Sequence, residues 1–189
     1  PSVTQIGDET FKGCSSLTQI SIPPSVTQIG DETFKGCSSL TQISIPLSVI
    51  HIGCSAFYDC SSMTKISILS SIAQNGNNAF SKSSSTAQIS IIPSLTQISD
   101  SAFSRCSSLT QIPIFSSVNQ IGDYAFNECS SLAKISIPSS ATIIGNYAFK
   151  GCSSLAQVSF EIPSYTTSIG NYAFLECSLL TQITIPSSV

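Results

Sequence analysis

Residues 30–46 read GDETFKGCSSLTQISIP, and versions of this stretch recur along the whole chain. Its phenylalanine belongs to an evenly spaced series in which only the last step is longer. The series is Phe11, Phe34, Phe57, Phe80, Phe103, Phe126, Phe149 and Phe174. A fixed period of this kind is typical of a solenoid, in which each unit buries its apolar side chains against its neighbours. We therefore predict one solenoid over residues 1–189, with eight 23-residue units and a two-residue insertion in the last.

The chain starts and stops inside a unit. Residues 1–3 (Pro-Ser-Val) are repeated at 24–26, and residues 187–189 (Ser-Ser-Val) match the opening of a ninth unit. We interpret the sequence as a piece of a longer protein. Because neither end unit carries a polar cap, the open sheet edges favour end-to-end self-association.

Within a unit, apolar and polar residues alternate at Leu17, Ile20 and Ile22 against Gln19 and Ser21. This period of two predicts a short strand with its isoleucines facing the core. Residues 25–30 then turn the chain and add a second extended piece, ending in a glycine where a side chain fits poorly. Residues 31–37 predict a single helical turn capped by Asp or Asn.

The full repeat is Leu-x-x-Ile-x-Ile-Pro-x-Ser-Val-x-x-Ile-Gly-x-x-x-Phe-x-x-Cys-x-x-Leu. It resembles the 23-residue leucine-rich repeat of the BspA-like class, known from bacterial surface proteins and from protozoan parasites. The resemblance implies a leucine-rich repeat arc with a parallel β-sheet on the concave side. It also implies short helical turns or extended segments on the convex side, and a role in adhesion to host or matrix proteins at the cell surface.

Composition excludes several partners. Only 9 % of the residues are charged and the net charge is −3, so no basic stripe exists that would neutralise the phosphates of a nucleic acid. No apolar run approaches the roughly 20 residues that span a bilayer, so we expect no membrane insertion.

Seven of the eight cysteines follow an anchor phenylalanine at the same short distance: Cys14, Cys37, Cys60, Cys106, Cys129, Cys152 and Cys177. This spacing predicts a column of buried thiols, because the repeat period alone accounts for it. Disulfides between neighbours in the column are the alternative. Free thiols would also suit a reducing cytoplasm, so a cytoplasmic location stays open beside the cell surface.

Cys54 stands outside the column, where the other units have Asp or Asn, and we expect it near the surface with His51 pointing outward. With Cys60 they make an incomplete zinc set, since a structural site needs four ligands. The roles of Cys54 and His51 stay open. No phosphate-binding loop, carboxylate pair or catalytic triad accompanies them, so we expect no enzyme, no cofactor and no metal.

The outward residues of the predicted strands form the candidate binding face. It is polar, nearly uncharged and repetitive, and it suits a protein-protein interaction module that binds through many weak contacts to a ligand that also repeats, either an extended protein or a glycan. The candidate residues are Gln19, Ser21, Gln42, Ser44, Lys65, Ser67, Gln88, Ser90, Gln111, Lys134, Ser136, Gln157, Ser159, Gln182 and Thr184. The alternative is a structural spacer without a ligand, because these columns lack aromatic and arginine anchors. Tyr124, Tyr147 and Tyr172 form a second stripe, either a contact patch or flanks of the phenylalanine series.

Two units depart from the pattern. Unit four replaces an isoleucine, a cysteine and a leucine of the repeat by Asn75, Ser83 and Thr86, so we expect it to be the softest unit. Unit five carries Pro113 inside its predicted strand.

Overall fold

The computed structural model describes residues 2–68, 75–91 and 94–189. Each repeat contributes at most two parallel strands, one of four residues and one of two. The strands are β1 Gln5–Ile6, β2 Gln28–Ile29, β3 Gln42–Ile45, β4 His51–Ile52, β5 Lys65–Ile68, β6 Gln88–Ile91, β7 Gln97–Ile98, β8 Gln120–Ile121, β9 Lys134–Ile137, β10 Ile143–Ile144, β11 Gln157–Phe160 and β12 Ser168–Ile169.

Every strand pairs in parallel with its counterpart in an adjacent unit. The long strands pair as β3-β5-β6 and β9-β11, and the short strands pair as β1-β2-β4 and β7-β8-β10-β12. Equivalent residues are in register, as in Gln42 with Lys65 and Lys65 with Gln88. The prediction of a repeat solenoid with a parallel sheet is confirmed, and in units one to three and five to eight the second extended segment is the short strand.

The long-strand sheet is interrupted at unit five. No strand is formed by residues 110–114, which lie between β6 and β9. Proline has no amide hydrogen and cannot donate to a neighbouring strand. Pro113 therefore removes one of the bonds that would join the two long-strand sheets.

A column of stacked phenylalanines forms the centre of the core. Adjacent rings are nearly parallel, with centroids 5.1 to 5.6 Å apart from Phe11 to Phe174. The six internal rings have at most 1 % of their surface exposed. Burying a side chain of this size contributes about 1.5–3 kcal/mol, so the column is a major source of stability.

The expected helical turn is not helical. Among the described residues there is no helix, and therefore none of the length and hydrophobicity needed to cross a membrane. Two residues of each turn have positive φ: the one two places before the phenylalanine, at 51° to 58°, and the one two places after it, at 57° to 73°. A right-handed helix cannot continue through such residues.

The turns form backbone hydrogen bonds to the next unit as well as within themselves. The amides of Glu9, Phe11 and Gly13 donate to carbonyls of residues 31, 33 and 35 in the following unit, at 2.7 to 2.9 Å. The Asp that we expected to cap a helix also bonds between units, since Asp8 Oδ1 accepts the Asp31 amide at 2.8 Å. The turn is thus a third bonded side of the solenoid.

This packing explains the repeated glycine. A Cβ atom at Gly145 would lie 2.5 Å from the carbonyl carbon of Gly122 and 2.6 Å from the amide nitrogen of Asp123. Such distances are well inside van der Waals contact, so the close approach of the preceding unit favours glycine at this position, which only unit five fills with another residue, Ser99. Its backbone dihedral is not the reason, because Gly145 is not among the residues with positive φ.

The polar substitutions of unit four differ in how well they are accommodated. Ser83 Oγ donates to the Phe57 carbonyl at 3.3 Å, and Thr86 Oγ1 donates to the Met63 carbonyl at 2.8 Å. Asn75 is 4 % exposed, and its Oδ1 is buried without a hydrogen-bond partner in the described part of the chain. One of the three substitutions therefore leaves a polar atom unsatisfied. The start of unit four, residues 70–74, lies outside the described residues.

Candidate functional site

The outward residues of the long strands, with their counterparts in units one, five and eight, lie on one side of the solenoid, which we call the long-strand face. Fourteen of the fifteen candidate residues are exposed, and Ser67 is half-buried. Between them, isoleucines such as Ile43, Ile66 and Ile135 point inward and have at most 3 % of their surface exposed. The alternation that predicted this face is therefore observed in the strands.

Two open depressions lie on the long-strand face. The larger, of about 750 Å³, spans units four to seven and is lined by Gln88, Ser90, Gln111, Pro113, Lys134, Ser136, Gln157 and Ser159, among others. The smaller, of about 450 Å³, spans units one to three and is lined by Gln19, Ser21, Gln42, Ser44, Lys65 and Ser67 beside two isoleucines. The structure thus brings most of the candidate residues together in two sites.

The larger depression includes the interrupted unit. Pro113 is exposed, and Ile112 beneath it is 6 % exposed. Sequence reasoning recorded Pro113 as a departure from the pattern and did not assign it to a site. Pro113 is the fifth residue of the predicted strand of its unit, as Ser90 and Ser136 are in units four and six, and this position is the sequence signal that it lies on the long-strand face.

The long-strand face has an unusual charge distribution. No unit has Asp or Glu at the six positions equivalent to residues 17–22, which include the long strand. No acidic residue lines either depression. Each depression contains one lysine, Lys65 in the smaller and Lys134 in the larger. Within residues 2–68, 75–91 and 94–189, neither lysine forms a salt bridge. The face is positive although the chain as a whole is negative.

The thiols of the cysteine column form hydrogen bonds to backbone carbonyls. Each thiol of the column from Cys37 onward donates to the carbonyl of the phenylalanine in the preceding unit, at 3.1 to 3.3 Å. The five internal members are buried, as predicted, whereas Cys14 is exposed and Cys177 is half-buried in the end units. All eight cysteines are free thiols. Burial raises the pKa of Cys60, Cys106 and Cys152 to about 12, because a thiolate is disfavoured away from water.

Cys54 and His51 are exposed, as expected. The Cys54 amide donates to Asp31 Oδ1 at 2.7 Å, so its backbone still bonds to the Asp of the preceding unit. Throughout the described ranges, no group of three or more His, Cys, Asp and Glu side chains lies close enough to hold a metal ion.

The tyrosine stripe is a second stack. The ring centroids of Tyr124 and Tyr147 lie 4.7 Å apart, and those of Tyr147 and Tyr172 lie 4.9 Å apart. Tyr124 is 41 % exposed and Tyr172 is 59 % exposed, with Tyr147 half-buried between them. The three rings therefore stack on one another, and the two outer tyrosines stay largely exposed.

Sequence reasoning missed the charged pairs along the turns. Lys12 Nζ lies 2.7 Å from a carboxylate oxygen of Glu32, and Arg105 Nε lies 3.1 Å from one of Glu128. The hydrogen bond from Lys12 is the main reason why the pKa of Glu32 is lowered. The signal was the presence of opposite charges in the turns of consecutive units. These pairs link the turns of neighbouring units.

The repeats of this chain match those of a known protein family. The BspA type leucine rich repeat region matches residues 4–133 and 119–189 in six copies. The chain belongs to this family. The BspA-type resemblance deduced from the repeat pattern is confirmed.

Several solved leucine-rich repeat proteins are similar in structure to this chain. A leucine-rich repeat protein from Bacteroides ovatus matches 97 % of this chain at 28 % identity, with a TM-score of 0.73. The leucine rich repeat protein of T. pallidum matches 94 % of the chain and 72 % of its own length at 28 % identity, with a TM-score of 0.60. This chain spans 58 % of the length of the Bacteroides ovatus protein.

A third structure is a leucine rich cell surface protein from Faecalibacterium prausnitzii. It covers 88 % of this BspA-type chain at 26 % identity, over 62 % of its own length, with a TM-score of 0.51. No curated protein is significantly similar in sequence. These similarities support the fold and the repeat class.

Proposed function

We propose that residues 1–189 form a non-enzymatic protein-protein interaction module that binds its ligand on the long-strand face. The observation that carries the proposal is the larger depression, an open volume of about 750 Å³ that is lined by exposed amide and hydroxyl groups. Such groups donate and accept hydrogen bonds without a fixed charge. Leucine-rich repeat proteins commonly serve as interaction modules, which supports the same function.

The finer proposal is adhesion at the cell surface. It is supported by the name of the Faecalibacterium prausnitzii protein, which describes a cell surface protein. The ligand class that fits adhesion is a host or matrix protein. A cytoplasmic interaction module is the alternative location, and it is consistent with eight free thiols.

A steric block on the face tests the function. Purified protein is titrated over immobilised matrix proteins, collagen and laminin among them. Saturable binding that is lost in Ser136→Trp, which fills the larger depression, supports the proposal. The matched control is Ser168→Trp, an exposed serine on the short strand β12, which is expected to bind like the unmodified protein. Equal loss in both variants would contradict a site on the long-strand face.

A structural spacer is the second candidate. It is favoured by the composition of the face, whose fifteen candidate residues include no aromatic and no arginine. Interfaces usually depend on such anchors. An absence of saturable binding to every matrix protein, at concentrations up to the high micromolar range, would support the spacer.

Association between copies is also part of the proposal. Unit eight and the residues after it expose apolar side chains, including Ile162 at 94 %, Leu179 at 56 % and Ile185 at 48 %. Apolar surface of this kind favours self-association. Sedimentation velocity is expected to show oligomers that increase with concentration, and a sharp monomer at high concentration would exclude the association.

A further inference from the structure

Lys65 and Lys134 are the only charged residues at the positions equivalent to residues 17–22, which form the long-strand face. They occupy the same position of units three and six, so they lie in one column with a separation of three units. Adjacent strands are separated by about 4.8 Å, so the two lysines are roughly 14 Å apart along the stack. Each lysine lies in its own depression, among glutamine and serine side chains.

The two depressions have matching chemistry. Each contains at least two glutamines, three serines and one lysine, and neither contains an acidic residue. Of the chain's ten Asp and Glu residues, none lies at a strand position of this face. Neither lysine forms an ion pair in the described part of the chain. Two such cations, on a face free of carboxylates, are complementary to a ligand with two negative charges.

We infer that the long-strand face binds an extended acidic peptide segment whose two carboxylates contact Lys65 and Lys134. An extended chain rises about 3.3 Å per residue, so charges about four residues apart match the separation of the lysines. The glutamines and serines between the lysines bond to the peptide groups of the segment. This inference rests on the proposed function, because it assumes that the ligand of the face is a protein.

The arrangement favours a peptide over a uniformly charged polymer. Eight residues, one in each unit, occupy the position of Lys65 and Lys134. Only these two are charged, and the other six are glutamine. A ligand with a charge on every residue would place most of its charges opposite neutral amides, where desolvation is not offset by an ion pair. A segment with two carboxylates and neutral polar residues between them leaves no charge without a partner.

The test uses labelled peptides of Gly, Ser and Thr, measured by fluorescence anisotropy with the full chain. One peptide carries two glutamates about four residues apart, a second carries them about two residues apart, and a third carries glutamine instead. We expect the first to bind about ten-fold more tightly than the glutamine peptide. Raising NaCl from about 50 to about 300 mM is expected to remove most of that difference.

The variants are Lys65→Gln and Lys134→Gln, which install the residue of the other six units and are therefore expected to fold normally. Each is expected to weaken binding of the first peptide about three-fold, and the double variant about ten-fold. Lys150→Gln on the turn side is the matched control. It makes the same change in net charge and is expected to bind like the unmodified protein.

Three results would overturn the inference. They are equal affinity for the glutamate and glutamine peptides, a preference for the closer glutamate spacing, and a lysine-dependent binding of an acidic glycan such as polygalacturonate without peptide binding. The proposed function is tested separately, because it can hold when this inference fails. If matrix proteins bind, Ser136→Trp abolishes that binding and the lysine variants do not change it, the face is a protein-binding site of different chemistry.

Discussion

The Cys129 thiol donates a hydrogen bond to the carbonyl oxygen of Phe103, 3.1 Å away in the preceding unit. The same carbonyl accepts the Cys106 amide at 3.2 Å, so one backbone oxygen joins the thiol column to the phenylalanine column. Ser83 makes the equivalent bond to Phe57 in unit four. The column therefore selects a small side chain with a donor.

Thiol reactivity provides the first prediction. At pH 8 we expect Cys14 and Cys54, which are exposed, to react rapidly with a disulfide reagent. The buried thiols are expected to react only after unfolding, because a raised pKa leaves almost no thiolate. The measurement is a thiol count with and without denaturant. Fewer than eight thiols in denaturant would mean that disulfides cross the column in the purified protein.

Alkaline pH is expected to destabilise the fold. Burial raises the pKa of Cys60, Cys106 and Cys152 from 9.0 to about 12. Below pH 9 these thiols are protonated in both states, so their ionisation has no effect on stability. Between pH 9 and about 12 only the unfolded chain loses the protons, and the free energy of unfolding falls.

Urea midpoints at pH 8 and at pH 10.5 measure this loss. The control replaces Cys60, Cys106 and Cys152 by serine, which does not ionise in this range and keeps a donor for the carbonyl. A pH dependence as steep in the triple variant as in the unmodified protein would mean that other groups cause it.

Unit four is expected to gain stability from Asn75→Ile. The change removes the unsatisfied Oδ1 atom and restores the isoleucine of the other units, so we expect a gain of about 1–3 kcal/mol in urea unfolding. Thr86→Leu is the matched control, because the Thr86 hydroxyl already has a partner and its loss removes a hydrogen bond. If both variants gained equally, apolar burial alone would explain the effect.

Pro113→Ser is expected to join the two long-strand sheets. The new amide can donate to unit four, which is worth about 0.5–1.5 kcal/mol for one hydrogen bond. Hydrogen exchange at residue 112 and at residues 134–137 should slow, since strand β9 would gain a neighbour. Ser136→Pro, which removes an amide from the same column, is expected to speed exchange there. Unchanged exchange in Pro113→Ser would mean that the proline does not cause the interruption.

The sequence was sufficient to predict the features that depend on side-chain alternation. The phenylalanine stack, the inward isoleucines and the exposure of Gln42 and Lys65 all follow from the alternation within a unit and the period between units. Burial of the internal cysteines follows from the same period. In each case one residue type recurs at one position, and its environment recurs with it.

The turn could not be predicted in this way. Its structure depends on bonds to residues in the next unit, such as that from the Glu9 amide to the Asp31 carbonyl, and a local reading favoured a capped helix. Gly13, Gly36 and Gly151 did signal positive φ at one turn position. The other units place Asp59, Lys82, Arg105, Glu128 or Glu176 there, which obscured the signal. The depressions were also not predictable, because their depth depends on how the strands of several units lie together.

Units one and two have identical sequences but different environments. Phe34 is fully buried and Gln42–Ile45 is a strand, whereas Phe11 is half-buried and residues 19–22 form no strand. The difference comes from neighbours, since within residues 1–189 unit two is flanked on both sides and unit one on one side. A gene that gains one more copy by unequal recombination would therefore encode a longer array at once, with each contact supplied by residues already present. Length in this kind of protein can change between generations without any compensating substitution.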